Sequence, residues 1–223
     1  MGKKSNAILL LIVSVVLSCG AGCADSGGLA ISGKAGTLGL GGELTTAITS
    51  NVNARVGLNT LDFDYDDEFD NVEYDVGLGF SSFSALVDWY LFDSSFRISG
   101  GLISMDHTLD LDATPSESVD IGDGTYTPAQ IGTLSGDVDI DGVAPYIGIG
   151  WGDPMDPDKR WGFYCDFGVA FTDSPDVSLA ANGTLASDPT FQANLAKERR
   201  EIEDDLEPFK FYPVLSLGIY FRF

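Results

Sequence analysis

From Phe209 to Phe223 every second residue is apolar or aromatic: Phe209, Phe211, Pro213, Leu215, Leu217, Ile219, Phe221 and Phe223. Between them stand Lys210, Tyr212, Val214, Ser216, Gly218, Tyr220 and Arg222. A repeat of two is the side-chain period of a β-strand, so one face is continuously apolar and the other polar, small or charged. The same division separates Phe163, Cys165, Phe167, Val169 and Phe171 from Tyr164, Asp166, Gly168, Ala170 and Thr172, and it recurs from Phe83 to Leu91. Strands of soluble sandwiches average about 5 to 6 residues. The alternating stretches near 160 to 181 and 207 to 223 are far longer. Long strands with apolar-aromatic faces, opposed by Gly, Ser and isolated charges, suit a closed barrel in lipid with a polar lumen. The expected fold is all-β, a closed antiparallel transmembrane β-barrel.

The first residues read as a secretory leader. Lys3 and Lys4 form the basic start, Ala7 to Leu17 an apolar stretch too short to cross a bilayer, and Ser18 to Ala24 a small-residue cleavage region. Residues 1–24 are therefore assigned to a signal peptide and 25–223 to the barrel. Lipidation at Cys19 or Cys23, each after a weak lipobox, is the alternative processing. After simple cleavage Cys165 alone survives, so no intrachain disulfide is available. Acidic residues outnumber basic ones 34 to 12, a net charge of −22 that removal of the two leader lysines makes more negative still. Such a chain repels a nucleic acid. No apolar run after the leader is long enough for a transmembrane helix.

Strands are expected near 36 to 49, 51 to 65, 72 to 92, 96 to 113, 135 to 152, 160 to 181 and 207 to 223. Short links (Ser50 and Asn51, Asp93 to Ser95, Asp153 to Lys159) alternate with long polar ones (Asp66 to Asn71, Thr114 to Leu134, Asn182 to Pro208). Short periplasmic turns and long extracellular loops are the usual arrangement of outer-membrane barrels, and with both termini periplasmic the strand number is even. About eight strands are expected, with Leu29 to Gly36 as the eighth. The glycines of Gly36 to Gly42 either turn the chain there or kink one long strand.

With its leader, its alternating strands and its terminal Tyr220-Phe221-Arg222-Phe223, the chain resembles the small outer-membrane β-barrels of the outer membrane protein A type. The resemblance implies export to the cell outer membrane. It also implies that Tyr220, Phe221 and Phe223 form a signal read by the barrel assembly machinery. It is silent about activity, because the same fold hosts anchors, pores, adhesins and lipid-modifying enzymes.

Several strands change phase. Val52, Ala54, Val56 and Leu58 are followed by Leu61, Phe63 and Tyr65, which predicts a bulge near Asn59. Similar slips fall near Ser81, Gly100 to Leu102, and Gly142 to Ala144. Beyond them the other face is acidic, predicting an acid-lined upper interior or rim. Asp62, Asp64 and Asp66, with Asp137, Asp139 and Asp141, are weak divalent-cation candidates, suited to magnesium bridging toward lipopolysaccharide phosphates. Asp62 to Glu73 echoes the spacing of an EF-hand loop, but Asp67 stands where that loop needs Gly. No catalytic, cofactor or dedicated metal site is assigned.

His107, the single histidine, takes outward parity with Met105, Leu109 and Leu111, as a residue reaching for lipid headgroups. A lipid A deacylase would instead pair it with Ser104 or Ser81. Arg55, Asp88, Arg97, Asp166, Lys210 and Arg222 take inward parity and form salt bridges that plug a lumen of eight-stranded width, or else line a conducting path. Asp188 and Pro189 open a short helix in the last extracellular loop, with Phe191, Leu195, Ile202 and Leu206 as its apolar stripe. The expectation is a monomeric, non-enzymatic outer-membrane barrel with a structural or surface-binding role. Its partners would be outer-membrane lipid and lipopolysaccharide. A small-solute pore is the alternative, and a lipid A-modifying enzyme stands further off.

Overall fold

A computed structural model describes residues 28–69, 72–92 and 94–223, with side chains left aside at 66–69 and 72–74. The leader, Cys19 and Cys23 lie outside the described residues. The elements in chain order are β1 (Leu29–Gly36), β2 (Gly39–Thr49), β3 (Val52–Phe69), β4 (Val72–Tyr90), β5 (Phe96–Pro115), β6 (Val119–Ile121), β7 (Gly124–Tyr126), α1 (Pro128–Ile131), β8 (Leu134–Trp151), β9 (Trp161–Phe171), β10 (Asp176–Ala181), α2 (Pro189–Leu206) and β11 (Phe211–Arg222). A single 3-10 turn, Glu207–Lys210, leads into β11.

Eight strands close the ring in the order β1, β2, β3, β4, β5, β8, β9 and β11. Closure is antiparallel between the first and last strands, from Ala30↔Arg222 to Gly36↔Ser216. The glycine-rich stretch turns the chain. Gly39 has φ +99°, and a Cβ at Gly36 would stand 2.0 Å from the Leu215 carbonyl oxygen, so the β1–β2 turn packs against β11 with no room for a side chain. Residues 66 to 69, expected as the start of a loop, continue β3: β3 and β4 pair from Val52↔Trp89 to Phe69↔Val72, and the rest of that expected loop, residues 70 and 71, lies outside the described residues.

β3, β4, β5 and β8 rise well past the level at which β9 and β11 stop. β10 resumes the course of β9 against upper β8, from Asp176↔Asp139 to Ala181↔Leu134. Lower down, β9 pairs with β8 only from Tyr146 to Trp151. Between Asp139 and Tyr146, β8 is paired with β5 alone, so the wall is interrupted there.

None of the bulges expected near Asn59, Ser81, Gly100 to Leu102 or Gly142 to Ala144 is present as a register shift. The β3–β4, β4–β5 and β5–β8 ladders run unbroken through all four places. What changes is the surroundings of each face. In the lower barrel, inward positions are polar and outward ones apolar. Above it the same inward rows continue as Leu61, Phe63 and Tyr65, as Phe80, Leu78 and Val76, and as Leu109 and Leu111. The outward rows become Asp62 and Asp64, then Asp106, Asp110 and Asp112, then Asp141, Asp139 and Asp137, all exposed. The expected acid-lined interior is thus an acid-faced exterior around an apolar inner wall.

Candidate functional site

The lumen is filled in layers. In the lower layer Arg55 meets Asp88 (Nε to Oδ2, 2.7 Å), Asp166 (Nη1 to Oδ2, 2.9 Å) and Glu43 (Nη1 to Oε2, 3.3 Å). Arg97 meets Asp166 at 2.6 Å and lies 3.7 Å from Asp88. Lys34 meets Glu43 at 2.7 Å. Tyr164 donates its hydroxyl proton to Glu43 at 2.7 Å and Ser99 to Asp88 at 2.6 Å. Lys34, Arg55 and Arg97 therefore balance Glu43, Asp88 and Asp166, which is what makes burying these groups tolerable. Arg222 lies apart at the end of the barrel where the chain terminates, donating to the Asp156 carbonyl at 3.3 Å. Lys210 is a correction. It sits in the 3-10 turn ahead of β11, paired with Glu207 at the end of the barrel opposite the chain termini, because that turn ends the alternation before β11 begins.

Tyrosine rings pack the lumen beside strand glycines. A Cβ at Gly148 would stand 2.2 Å from the Tyr146 hydroxyl, and one at Gly218 2.3 Å from the Tyr164 ring, so each Tyr needs its glycine. Above the charged layer Leu38, Leu86, Ile103, Met105, Ala144, Tyr146, Ala170, Tyr212 and Val214 form one apolar cluster. It fills the barrel at the level where β9 ends.

His107 is the second correction. It is 3% exposed and faces inward, stacked on Phe80 with centroids 4.6 Å apart and edge-on to Tyr212 at 5.4 Å. Because β5 runs without a slip through Gly100 to Leu102, His107 keeps the inward parity of Arg97 and Ser99. Ser81, opposite Asp106, and Ser104 belong to the outer face of the same sheet, so neither shares a face with the imidazole. Neither ring nitrogen has a hydrogen-bond partner among the described residues.

The two long loop segments, β6 to α1 and the one carrying α2, build a cap on the top of β8 and β10. Ile121, Tyr126, Ile131, Phe191 and Leu195 are its core, with Leu134, Leu179, Ala181 and Leu185 packed against them. Asp188 caps α2 by accepting from the amides of Thr190 (2.9 Å) and Phe191 (3.0 Å). The Gly122 amide donates to Glu198 at 2.9 Å, tying the β6–β7 hairpin to α2. On the inner face of upper β3, Phe63 is 52% and Tyr65 51% exposed.

The acidic candidates do not converge. Asp62 and Asp64 lie on β3, while Asp137, Asp139 and Asp141 lie on β8 three strand positions away, about 14 Å at the usual strand spacing. The Asp66 side chain lies outside the described atoms. Among the described residues no three His, Cys, Asp or Glu side chains are grouped to hold a metal ion. Partial removal from water and the neighbouring Asp137 raise the pKa of Asp110 and of Asp139 above the usual carboxylate value.

Glu43, Lys34 and the inner wall were not singled out from sequence. The first two stand on the inward parity of the strands either side of the glycine turn, where the alternation is hardest to follow. The inner wall was legible as apolar residues and assigned to the wrong face.

No protein-family description and no curated protein matches the chain. Among the solved structures that match are two barrels similar over nearly the whole chain. CarO2 of Acinetobacter baumannii is 22% identical, covering 88% of this chain and 98% of its own, with a TM-score of 0.64. CarO of the same organism is 21% identical, covering 87% and 97%, with a TM-score of 0.62. At this identity the likeness concerns the fold, and the fold is that of an outer-membrane β-barrel.

Proposed function

We propose that this chain is exported by its leader to the outer membrane and stands there as a non-enzymatic, non-conducting monomer that presents an acid-faced sheet and a folded cap to the outside. The observation that carries this reading is the double closure of the lumen. Three cations and three carboxylates are locked together in one layer, and Leu38, Ile103, Met105, Tyr146 and Tyr212 are packed in the next. An ion crossing such a barrel would have to break buried pairs and then enter an apolar layer, each step strongly unfavourable. The separation of His107 from Ser81 and Ser104 by the thickness of the sheet supports a role other than lipid A hydrolysis. Lipopolysaccharide is the natural neighbour of the acidic outer face, through screening divalent ions.

Purified protein reconstituted in planar bilayers is expected to give no stable single-channel steps. Regular, large steps that persist at low voltage would overturn the sealed-lumen reading in favour of the pore.

A further inference from the structure

The outer face of the ring is not smooth where β1, β11 and β9 lie side by side. A hollow of about 650 Å³ lies over Ala35, Thr37 and Cys165, walled by Trp151, Phe167 and Leu217. Through Ala35 and Leu217 it joins a second, between Phe163 and Ile219. Through Gly33 and Ile219 that one joins a third, between Ile31, Trp161 and Phe221. Together they make one apolar groove. It follows β1 from Thr37 to Ile31, a run of about 20 Å at the usual strand rise. At the tilt of barrel strands that is about 15 Å of height, a little over half of an apolar band about 25 Å tall. The groove is thus one leaflet deep, and it opens at the end of the barrel where the chain terminates.

Two observations specify what lies in it. Gly33 stands inside β1 without a positive φ, and a Cβ there would meet nothing within 4 Å. Glycine weakens a strand interior. Here its missing side chain serves neither a turn nor a close approach within the chain; it deepens the groove, next to Gly42 across the β1–β2 ladder. The second observation is charge. Arg160 is exposed at the open end of the groove, its guanidinium 5.9 Å from the centroid of the Phe221 ring. It makes no ion pair among the described residues, in a chain where 34 acids face 12 bases. The neighbouring Lys159 is taken by Asp156 at 3.0 Å. A guanidinium left free among aromatic side chains at the membrane boundary fits a phosphate, which it meets with two parallel hydrogen bonds. The apolar groove leading away from it fits a hydrocarbon chain.

We infer that the groove on the outer face of β1, β11 and β9 is a site for one glycerophospholipid, with an acyl chain over Gly33 and Ala35 and the phosphodiester on Arg160. The inference rests on the outer-membrane reading above and is independent of whether the lumen conducts.

The test uses the mature full-length protein in vesicles of digalactosyldiacylglycerol, a bilayer lipid without phosphate, into which phosphatidylethanolamine brominated on its acyl chains is titrated. Bromine quenches a tryptophan that it touches. The chain has three tryptophans, Trp89, Trp151 and Trp161, each more than half exposed on the outer face. Trp89→Phe with Trp151→Phe leaves Trp161 at the groove. Trp151→Phe with Trp161→Phe leaves Trp89 on β4, three strand positions round the ring from β9. Quenching of Trp161 should run ahead of the mole fraction of brominated lipid, as for a site about threefold selective over the glycolipid, the size of one exposed charge pair. Trp89 should follow the mole fraction. Arg160→Gln and, separately, Gly33→Leu, which fills the groove without meeting the chain, should each return Trp161 to the mole-fraction curve while heat-modifiable migration stays normal. Millimolar inorganic phosphate should leave the excess quenching in place. Trp161 quenching that follows the mole fraction from the start, an excess that survives either variant, or one that inorganic phosphate abolishes would overturn the assignment. Trp161 quenching that weakens as the protein-to-lipid ratio rises would seat a second copy of the chain in the groove and overturn it equally. Failure of brominated lipid to quench either tryptophan would overturn the outer-membrane reading itself.

Discussion

Asp166 is the residue on which the lumen network turns, because it accepts from Arg55 at 2.9 and 3.2 Å and from Arg97 at 2.6 Å. Asp166→Ala should leave Arg97 with Asp88, 3.7 Å away, and Arg55 with Asp88 and Glu43, so two buried guanidiniums lose their shared carboxylate. Breaking a buried pair in this way costs about 3–5 kcal/mol. The expected outcome is a lower urea midpoint for unfolding from lipid vesicles, with Asp166→Asn intermediate. An unchanged midpoint in the Ala variant would mean that water enters the lumen freely. Arg55, Asp88, Arg97 and Asp166 were legible in the sequence because each is an isolated charge inside an apolar alternation, where a charge has nowhere to go but inward. Lys210 had the same local parity, but parity counts only while the strand lasts. His107 escapes parity for a related reason: its row neighbours Met105 and Leu109 are apolar, and in this sheet an apolar row faces lipid in the lower barrel and the inner wall above it.

At the scale of the element, a period-two pattern cannot distinguish a one-residue slip from an exchange of surroundings. Both swap the apolar and polar positions. β3, β4, β5 and β8 exchange surroundings while their ladders continue, so the backbone was legible in length and position and its upper faces were read inside out. The cap was legible only in α2, whose Asp188 cap and Pro189 are local signals; the short β6, β7 and α1 hold together through Phe191 and Leu195, contacts that no local pattern announces. The corrected faces have a consequence for pH. Asp110 and Asp139 face Asp106, Asp112, Asp137, Asp141 and Asp176 on the paired strands, and their carboxyls are held above the usual range. A carboxyl raised on folding adds stability when protonated, and that contribution is lost as pH rises through the raised value. Amide exchange in upper β5 and β8, corrected for its intrinsic pH dependence, should therefore become more protected as pH falls from neutral into the carboxylate range. Asp110→Asn with Asp139→Asn should remove most of that change. Protection that instead falls with pH would place the upper strands under control of ion pairs rather than of like-charge repulsion.

For the whole molecule, stability in lipid depends on closing the ring, since an open strand edge leaves unpaired backbone groups in a medium without water. β1 and β11 supply that closure, and the even strand number that required β1 was legible while its glycine turn was not. The chain end adds a further tie. The Phe223 amide donates to the Leu29 carbonyl at 2.9 Å, and the Phe223 ring meets Phe221 edge-on at 5.3 Å on the lipid-facing side. Deleting Phe223 removes one closing hydrogen bond and one aromatic ring, a small loss for a finished barrel. In an unassembled chain, however, the last strand is the edge that must be captured first if it carries the signal for the assembly machinery. The deletion should then lower the heat-modifiable protein in outer-membrane fractions at low expression and leave precursor for periplasmic proteolysis, while barrel that does assemble unfolds near the intact protein's urea midpoint. Asp62→Asn and Asp137→Asn, on the exposed outer face, should assemble normally. Normal membrane levels of the Phe223 deletion would show that the terminal aromatic belongs only to the apolar belt and that closure of β1 on β11 suffices for insertion.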